Sequence, residues 1–233
     1  MHPTLFSIGP ISIHTYGVLV AIAFIIAWHR LSVSLKILIP NEKILDGFVI
    51  GLLISGIIGA RIYYCILNTS FFIHNPIEIV MIFRGGLVWY GGVVGALAFG
   101  YVYAQYHQLS KIDLVDRIAP ELCLAQAIGR MGCFFQGCCY SLDSVWAPVQ
   151  LVESAALLVL FFILIKLRSI WLNQRGLSIA CYALGYGVIR LCTEILRGDS
   201  VKVALGLSIA QWLSIALILL ASIYFKRRAI NSV

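Results

Sequence analysis

Seven stretches of this chain are almost continuously apolar, and each is close to the ~20 residues that a helix needs to cross a bilayer's hydrocarbon core. They cover residues 16–37, 44–67, 88–105, 116–135, 150–165, 177–196 and 207–225. The polar stretches between them are short, and none is long enough to form a soluble domain. The piece 70–84, with Pro76, is too short and too mixed to span and reads as an amphipathic segment lying in the membrane interface. The expected fold is all-α: a polytopic membrane helical bundle of about seven transmembrane helices, forming one integral membrane domain over residues 1–233. Arg30 is the first basic residue, so the N-terminus lacks the charged start of a cleaved signal peptide.

Composition supports the same class and removes others. Hydrophobic residues make up 61% of the chain and charged ones 12%, and the mean hydropathy is +0.96. A soluble globular domain is excluded. The net charge of +7 does not call for nucleic acid, because topology accounts for it. With the N-terminus outside, the cytoplasmic set is Arg30, Lys36, Lys43, Lys111, Lys166, Arg168, Arg175, Lys226, Arg227 and Arg228, while Arg84, Arg197 and Lys202 lie outside. Ten against three is a strong positive-inside bias, so the C-terminus is expected in the cytoplasm.

That orientation gives the remaining polar residues a common depth. Arg61 and Arg130 come late in two outward-running spans, Glu153 opens an inward-running one, and Tyr186, Arg190 and Glu194 occupy the outer half of the sixth. His14, Tyr16 and Tyr90 open their spans from outside. Tyr186, Arg190 and Glu194 are spaced i, i+4 and i+8, so they share one helix face, with Arg197 a turn further on. Arg190 and Glu194 can pair. Arg61 and Arg130 have no acid nearby in sequence, which suggests a bound anion, and a guanidinium suits phosphate. A buried arginine costs ~2.5–3.5 kcal/mol at a bilayer centre, so it usually has a task. Structural readings stand beside these: Arg130 and Arg190 locking helices through Glu153 and Glu194, Arg61 snorkelling to headgroups, and Tyr16 and Tyr90 as belt aromatics. Arg117 and Glu121 read as an ion pair at the cytoplasmic end of the fourth span.

The segment from Ala127 to Tyr140 concentrates unusual chemistry: Gly129, Arg130, Gly132, Cys133, Gly137, Cys138 and Cys139. Its glycines permit close backbone approach to a headgroup or a tight helix end. Cys65, Cys123, Cys181 and Cys192 are scattered and read as packing residues. Cys133, Cys138 and Cys139 cluster at the outer surface. Their C-x4-C-C spacing matches no zinc pattern and no histidine accompanies them, so no metal is expected. A disulfide, a reactive thiol and an inert trio all remain open.

The chain resembles the prolipoprotein diacylglyceryl transferase family over nearly its full length. The resemblance is carried by Phe6, Ser7, Ile8, Gly9 and Pro10 followed by His14, Thr15, Tyr16 and Gly17; by Gly59, Ala60 and Arg61; and by Gly85, Gly86 and Leu87 with Tyr90, Gly91 and Gly92. It continues through Gly129, Arg130, Gly132, Phe134 and Gly137, then Pro148, Gln150, Leu151 and Glu153. It ends with Tyr186, Gly187, Arg190, Glu194 and Arg197, and with Gly206, Leu207, Ser208, Gln211 and Trp212. The family transfers the diacylglyceryl group of phosphatidylglycerol to the thiol of a lipobox cysteine in preprolipoproteins, forming a thioether and releasing glycerol phosphate. It needs no metal or soluble cofactor, and its setting is the bacterial inner membrane.

The resemblance implies that Arg130 and Arg190 hold the phosphate and that Tyr16, Glu153, Tyr186 and Glu194 line the same pocket. With Tyr90 and Cys133 these arginines and Glu194 are the expected catalytic set; Tyr16, Arg61, Gly129, Gly132, Gly137, Cys138, Glu153 and Tyr186 are the expected substrate-binding set. The expected partners are phosphatidylglycerol, preprolipoproteins and membrane lipid, not nucleic acid. Four positions depart from the family's common form: Cys133 replaces an asparagine, Cys138 a glutamate, and Tyr90 and Ala147 two histidines. The connection from Tyr140 to Ala147 is too short for the family's extracytoplasmic head insertion. Other readings of the same residues are a phospholipid-binding or lipid-transfer protein with a different acceptor, and a membrane thiol-redox protein.

Overall fold

In the computed structural model of the chain, the described residues are 4–8, 11–82, 85–143, 145–168, 170 and 173–231, with the backbone alone described at 4–8, 11–14 and 229–231. Seven long helices fall where the seven apolar stretches lie. They are α1 (Thr15–Leu35), α2 (Glu42–Leu67), α4 (Trp89–Tyr106), α5 (Lys111–Gln136), α6 (Val149–Lys166), α7 (Leu177–Ile195) and α8 (Ile209–Asn231), with a short α3 (Thr69–His74) and a 3-10 turn (Pro76–Ile79) between α2 and α4. Four of them are long and apolar enough to cross a membrane: Thr15–Leu35, Glu42–Leu67, Val149–Lys166 and Ile209–Arg228. Helices α5 and α7 carry most of the buried charge. Arg84, expected outside, and the side chain of His14 lie outside the described residues.

The fold is helical but not purely so. Two short antiparallel strand pairs accompany the helices: β1 (Thr4–Ile8) with β2 (Ile11–His14), and β3 (Lys202–Ala204) with β4 (Leu207–Ser208). The second is a tight hairpin in which Ala204 faces Leu207 across Leu205 and Gly206, both at positive φ. Positive φ at both central residues is the mark of the turn whose twist matches paired strands. The last span therefore starts later than its apolar run, because residues 207 and 208 belong to a strand.

The chain divides into two compact units, one of Met1–Leu31 with Val115–Val233 and one of Ser32–Leu114, so the divisions fall inside α1 and α5. The core of the first unit is a cluster on α5, α6 and α7. Ala119, Cys123 and Ala127 recur every fourth residue along α5, and Leu157, Leu160, Phe161, Leu164 and Tyr182 pack against them. Small side chains let α6 come close enough for polar contacts: the Cys123 thiol donates to the Leu157 carbonyl (3.1 Å) and the Ser154 hydroxyl to the Ala127 carbonyl (2.8 Å). Helix α7 starts at Gly176, which has no side chain to cap it. Asp116 of α5 takes that role, accepting from the backbone N–H groups of Gly176 (2.5 Å) and Ile179 (2.9 Å).

The second unit is built on two helices in backbone contact. A Cβ on Gly59 or Gly91 would strike the other residue's carbonyl oxygen, and one on Gly95 would strike the Ser55 carbonyl. Only glycine lets α2 and α4 approach this closely, which is how helices associate when lipid removes the hydrophobic drive. Gly91→Ala or Gly95→Ala should therefore lower stability by about 1–3 kcal/mol. Gly17→Ala, whose Cβ meets nothing within 4 Å, should not. Thermal unfolding of the detergent-solubilised variants checks both.

Candidate functional site

The carboxylate of Glu153, in the first turns of α6, sits between two guanidinium groups from other helices. Arg130 Nε of α5 lies 3.0 Å from Glu153 Oε1, and Arg190 Nη1 of α7 lies 3.1 Å from Oε2. Arg190 reaches on to Glu194 (2.7 Å), one turn along its own helix, and Glu194 also meets Arg197 (3.3 Å). Arg197 in turn grips Asp199 with two nitrogens, at 2.9 and 3.1 Å. The result is a ladder of alternating sign: Arg130, Glu153, Arg190, Glu194, Arg197, Asp199. Glu153 and Glu194 are buried, as is Arg190; the Arg130 side chain, 18% exposed, is the most open guanidinium of the three.

Ordinary helix-end devices hold this ladder. Glu194 Oε1 accepts from the hydroxyls of Ser200 (2.8 Å) and Ser208 (2.9 Å). Ser208 also caps α8: its oxygen accepts from Gln211 N–H while Gln211 Oε1 accepts from Ser208 N–H, a reciprocal capping box. The chain after the cysteines is stitched to the end of α7 by Leu142 N–H to Leu196 O and Gly198 N–H to Tyr140 O, both 3.0 Å. That pairing brings Cys139 within electrostatic range of Arg197.

The three outer thiols are gathered by the C-terminus of α5. Gly137 has φ +76, its N–H bonds the Phe134 carbonyl, and the Cys138 N–H reaches back to the Cys133 carbonyl, both at 3.2 Å. This is the Schellman closure of a helix, which brings together the side chains three residues before the end and just past it; here those are Cys133 and Cys138. Cys139, at φ +61, completes the group, and the three Sγ atoms lie within 4.8 Å of one another. All are free thiols. A hydrogen bond from the Cys133 thiol pulls the Cys139 thiol down to about 5; burial opposes it, and Arg197 and Arg130 add to it. Burial, then the neighbouring Cys139, pushes the Cys138 thiol up.

Of the residues expected at the site, Tyr16, Gly129, Arg130, Gly132, Cys133, Gly137, Cys138, Glu153, Tyr186, Arg190 and Glu194 belong to the first unit; Arg61 and Tyr90 belong to the second. Gly132 leaves room for the Tyr16 ring, which a Cβ would meet at 3.0 Å. Gly129 has nothing within 4 Å of its Cβ position, so close packing does not explain it. Tyr186 stacks on Tyr182 with ring planes 6° apart. Tyr90 packs edge-on against Trp89.

Two expectations about charge are corrected. Arg130 is not unpaired, because Glu153, distant in sequence, meets it across helices. Arg61 is buried, and its guanidinium is spent on backbone: Nη1 donates to Gly85 O (2.6 Å) and Gly86 O (3.0 Å), Nε to Ile79 O (3.0 Å) and Nη2 to Glu78 O. It fastens the segment after α3 by its backbone carbonyls. Glu121 pairs with Arg30 of α1 (2.6 Å). Sequence reasoning placed Arg197 on the same helix face but missed Asp199, Ser200 and Ser208 as parts of the network. The Ser208-x-x-Gln211 spacing is a legible capping signal; the contact from Ser208 to Glu194 is tertiary and leaves no local trace.

A membrane-embedded helical protein with a buried arginine–carboxylate relay at one end of its helices is the class that fold and site define. Comparison with known proteins narrows it. The family model for prolipoprotein diacylglyceryl transferase matches residues 3–227. A phosphatidylglycerol–prolipoprotein diacylglyceryl transferase of Clostridium novyi is 34% identical over all of this chain and 98% of its own length. Enzymes of that name from Staphylococcus haemolyticus (30%; 98% of this chain, 89% of theirs) and Clostridium tetani (29%; 97% of each) are similar. The chain belongs to the prolipoprotein diacylglyceryl transferase family.

Two outcomes test this geometry. Glu153→Gln removes the anion shared by the buried Arg190 and the part-exposed Arg130 and should cost up to about 3–5 kcal/mol in thermal unfolding. Iodoacetamide labelling of Cys139, read by mass spectrometry, should fall with a midpoint near pH 5, while Cys138 labels only at high pH. The depressed thiol also stabilises the fold above its unfolded value of about 8.5, and that contribution disappears as pH falls through the folded value.

Proposed function

We propose that this protein transfers the diacylglyceryl group of phosphatidylglycerol to the thiol of a lipobox cysteine in prolipoproteins, releasing glycerol phosphate. One membrane transferase domain of seven spans carries it, with the N-terminus outside, the C-terminus in the cytoplasm and the bacterial inner membrane as its setting. The names of relatives along nearly the whole chain support this reading, as does the family match over residues 3–227.

The observation that carries it is the meeting of Arg130 and Arg190 on Glu153. Breaking a glyceryl C–O bond leaves negative charge on the phosphate, and guanidinium groups already oriented in a dry site stabilise that charge without rearranging. Glu153 and Glu194 fix the two forks, and the more exposed Arg130 presents the open side. Tyr16, Tyr186 and the backbone at Gly129, Gly132 and Gly137 line the lipid's place in this scheme, and Cys133 and Cys138 face the acceptor. Tyr90 is a candidate proton acceptor, and Arg61 anchors the segment that follows α3.

Arg130→Ala and Arg190→Ala should each lower glycerol phosphate release by about 10²–10³-fold, the usual effect of removing one preorganised donor to a developing anion. The proteins should still insert in the membrane. Arg190→Lys should not restore transfer, because a lysine cannot bridge two carboxylates as a fork. The assay uses phosphatidylglycerol labelled in its glycerol headgroup and a lipobox peptide; wild-type rates in Arg130→Ala would refute the reading. A protein that only bound the lipid would release no glycerol phosphate.

A further inference from the structure

Cys133, Cys138 and Cys139 do not have the sequence spacing of a zinc motif, yet the closed end of α5 brings their sulfurs within 4.8 Å of one another. Tetrahedral zinc holds thiolates at about 2.3 Å, which sets sulfur–sulfur distances of about 3.8 Å, so a contraction of about 1 Å would complete the site. Thiol rotamers supply shifts of that size. The backbone frame is fixed independently, by the Schellman bonds at Gly137 and Cys138 and by Gln150 Nε2, which donates to the Cys138 carbonyl (2.8 Å). Three thiolates bound to a divalent ion leave a net negative charge. Arg130 lies within electrostatic range of Cys133 and Cys139, and Arg197 within range of Cys139.

We propose that Cys133, Cys138 and Cys139 bind a zinc ion whose fourth position takes the acceptor cysteine's sulfur. Three protein ligands with one position open is the arrangement of a reactive zinc, not a structural one. Coordination deprotonates a thiol outright. Resting on the lipid-transfer reading above, the site supplies what that reaction needs on the acceptor side. The acceptor S–H loses its proton as its sulfur binds zinc. The sulfur's electron pair then forms a bond to the glyceryl carbon as the C–O bond to phosphate breaks. Glycerol phosphate leaves with that bond's electrons and takes up the released proton, and the thioether, a weak ligand, departs from the metal. Arg130 lies beside both the thiols and Glu153, so nucleophile and leaving group would share one cation.

The test uses the full chain, reduced and solubilised in detergent. Zn²⁺ added against a chromophoric chelator should bind one ion per chain, and Co²⁺ in its place should give intense thiolate-to-metal absorption. Cys139→Ser and the triple serine variant should bind Zn²⁺ at least ~100-fold more weakly. Addition of a lipobox peptide, but not its Cys→Ser analogue, should shift the Co²⁺ spectrum. Chelation of the wild-type protein should abolish transfer to that peptide, and Zn²⁺ should restore it. Three outcomes overturn the site: no stoichiometric zinc, selective copper uptake, or a disulfide among the three cysteines as the protein comes from the membrane. Full transfer after chelation overturns the metal's role and leaves the lipid-transfer reading standing. Zinc bound with no glycerol phosphate released to any lipobox peptide removes that reading, and the metal's role with it.

Discussion

A single buried carboxylate, Glu153, determines where two cations stand. An unpaired guanidinium in this setting would cost several kcal/mol of desolvation, because arginine does not shed its proton. Glu153 meets both, and Glu194 meets Arg190 and Arg197. The three arginines of the ladder are matched by Glu153, Glu194 and Asp199, so the cluster is near neutral overall. That balance makes it an orienting device first. An anion entering such a network finds donors already aimed, which is worth more for catalysis than a surplus of loose positive charge.

The other parts of the first unit exist to hold that ladder in register. The capping box at Ser208 and Gln211 starts α8 and, through the Ser208 hydroxyl, fixes Glu194. The pairing of residues 140–142 with 196–198 brings the cysteine segment beside Arg197. The Schellman closure at Gly137 turns the end of α5 so that two thiols face each other. Each device is a routine way to satisfy helix-end backbone groups. Together they turn helix ends, where unpaired donors and acceptors must be dealt with anyway, into a site.

Much of this was legible in the sequence because it depends on local period. The seven helices follow from apolar length, and the Arg190–Glu194 pair follows from i,i+4 spacing. What was not legible depends on tertiary distance. Glu153 is 23 residues from Arg130 and 37 from Arg190 along the chain, so their meeting leaves no spacing to read. Arg61 was misjudged for a different reason. Its partners are backbone carbonyls at Glu78, Ile79, Gly85 and Gly86, and a carbonyl acceptor is invisible in a list of side chains. The clustering of the three thiols was legible, but the C-x4-C-C spacing does not show that a reversal at Gly137 makes its ends neighbours.

The departures from the family's common form fall into a chemical pattern. The arginines that the proposed scheme assigns to the lipid phosphate are present, and where the resemblance implies an asparagine and a glutamate this chain has Cys133 and Cys138, beside a third thiol, Cys139. Arg130 has Glu153 as its acceptor, and Arg197 has Glu194 and Asp199, so neither guanidinium depends on residues 133 or 138 for its pairing. A neutral amide and a carboxylate become thiols; burial pushes the Cys138 thiol up, so an anionic acceptor beside these guanidiniums comes from elsewhere in the cluster. The Cys139 thiol, drawn down to about 5 by the Cys133 hydrogen bond against burial and aided by Arg197 and Arg130, is already such an acceptor. The substitutions exchange hard oxygen donors for soft sulfur. In the proposed scheme that exchange alters the acceptor side and leaves the arginines assigned to the phosphate in place.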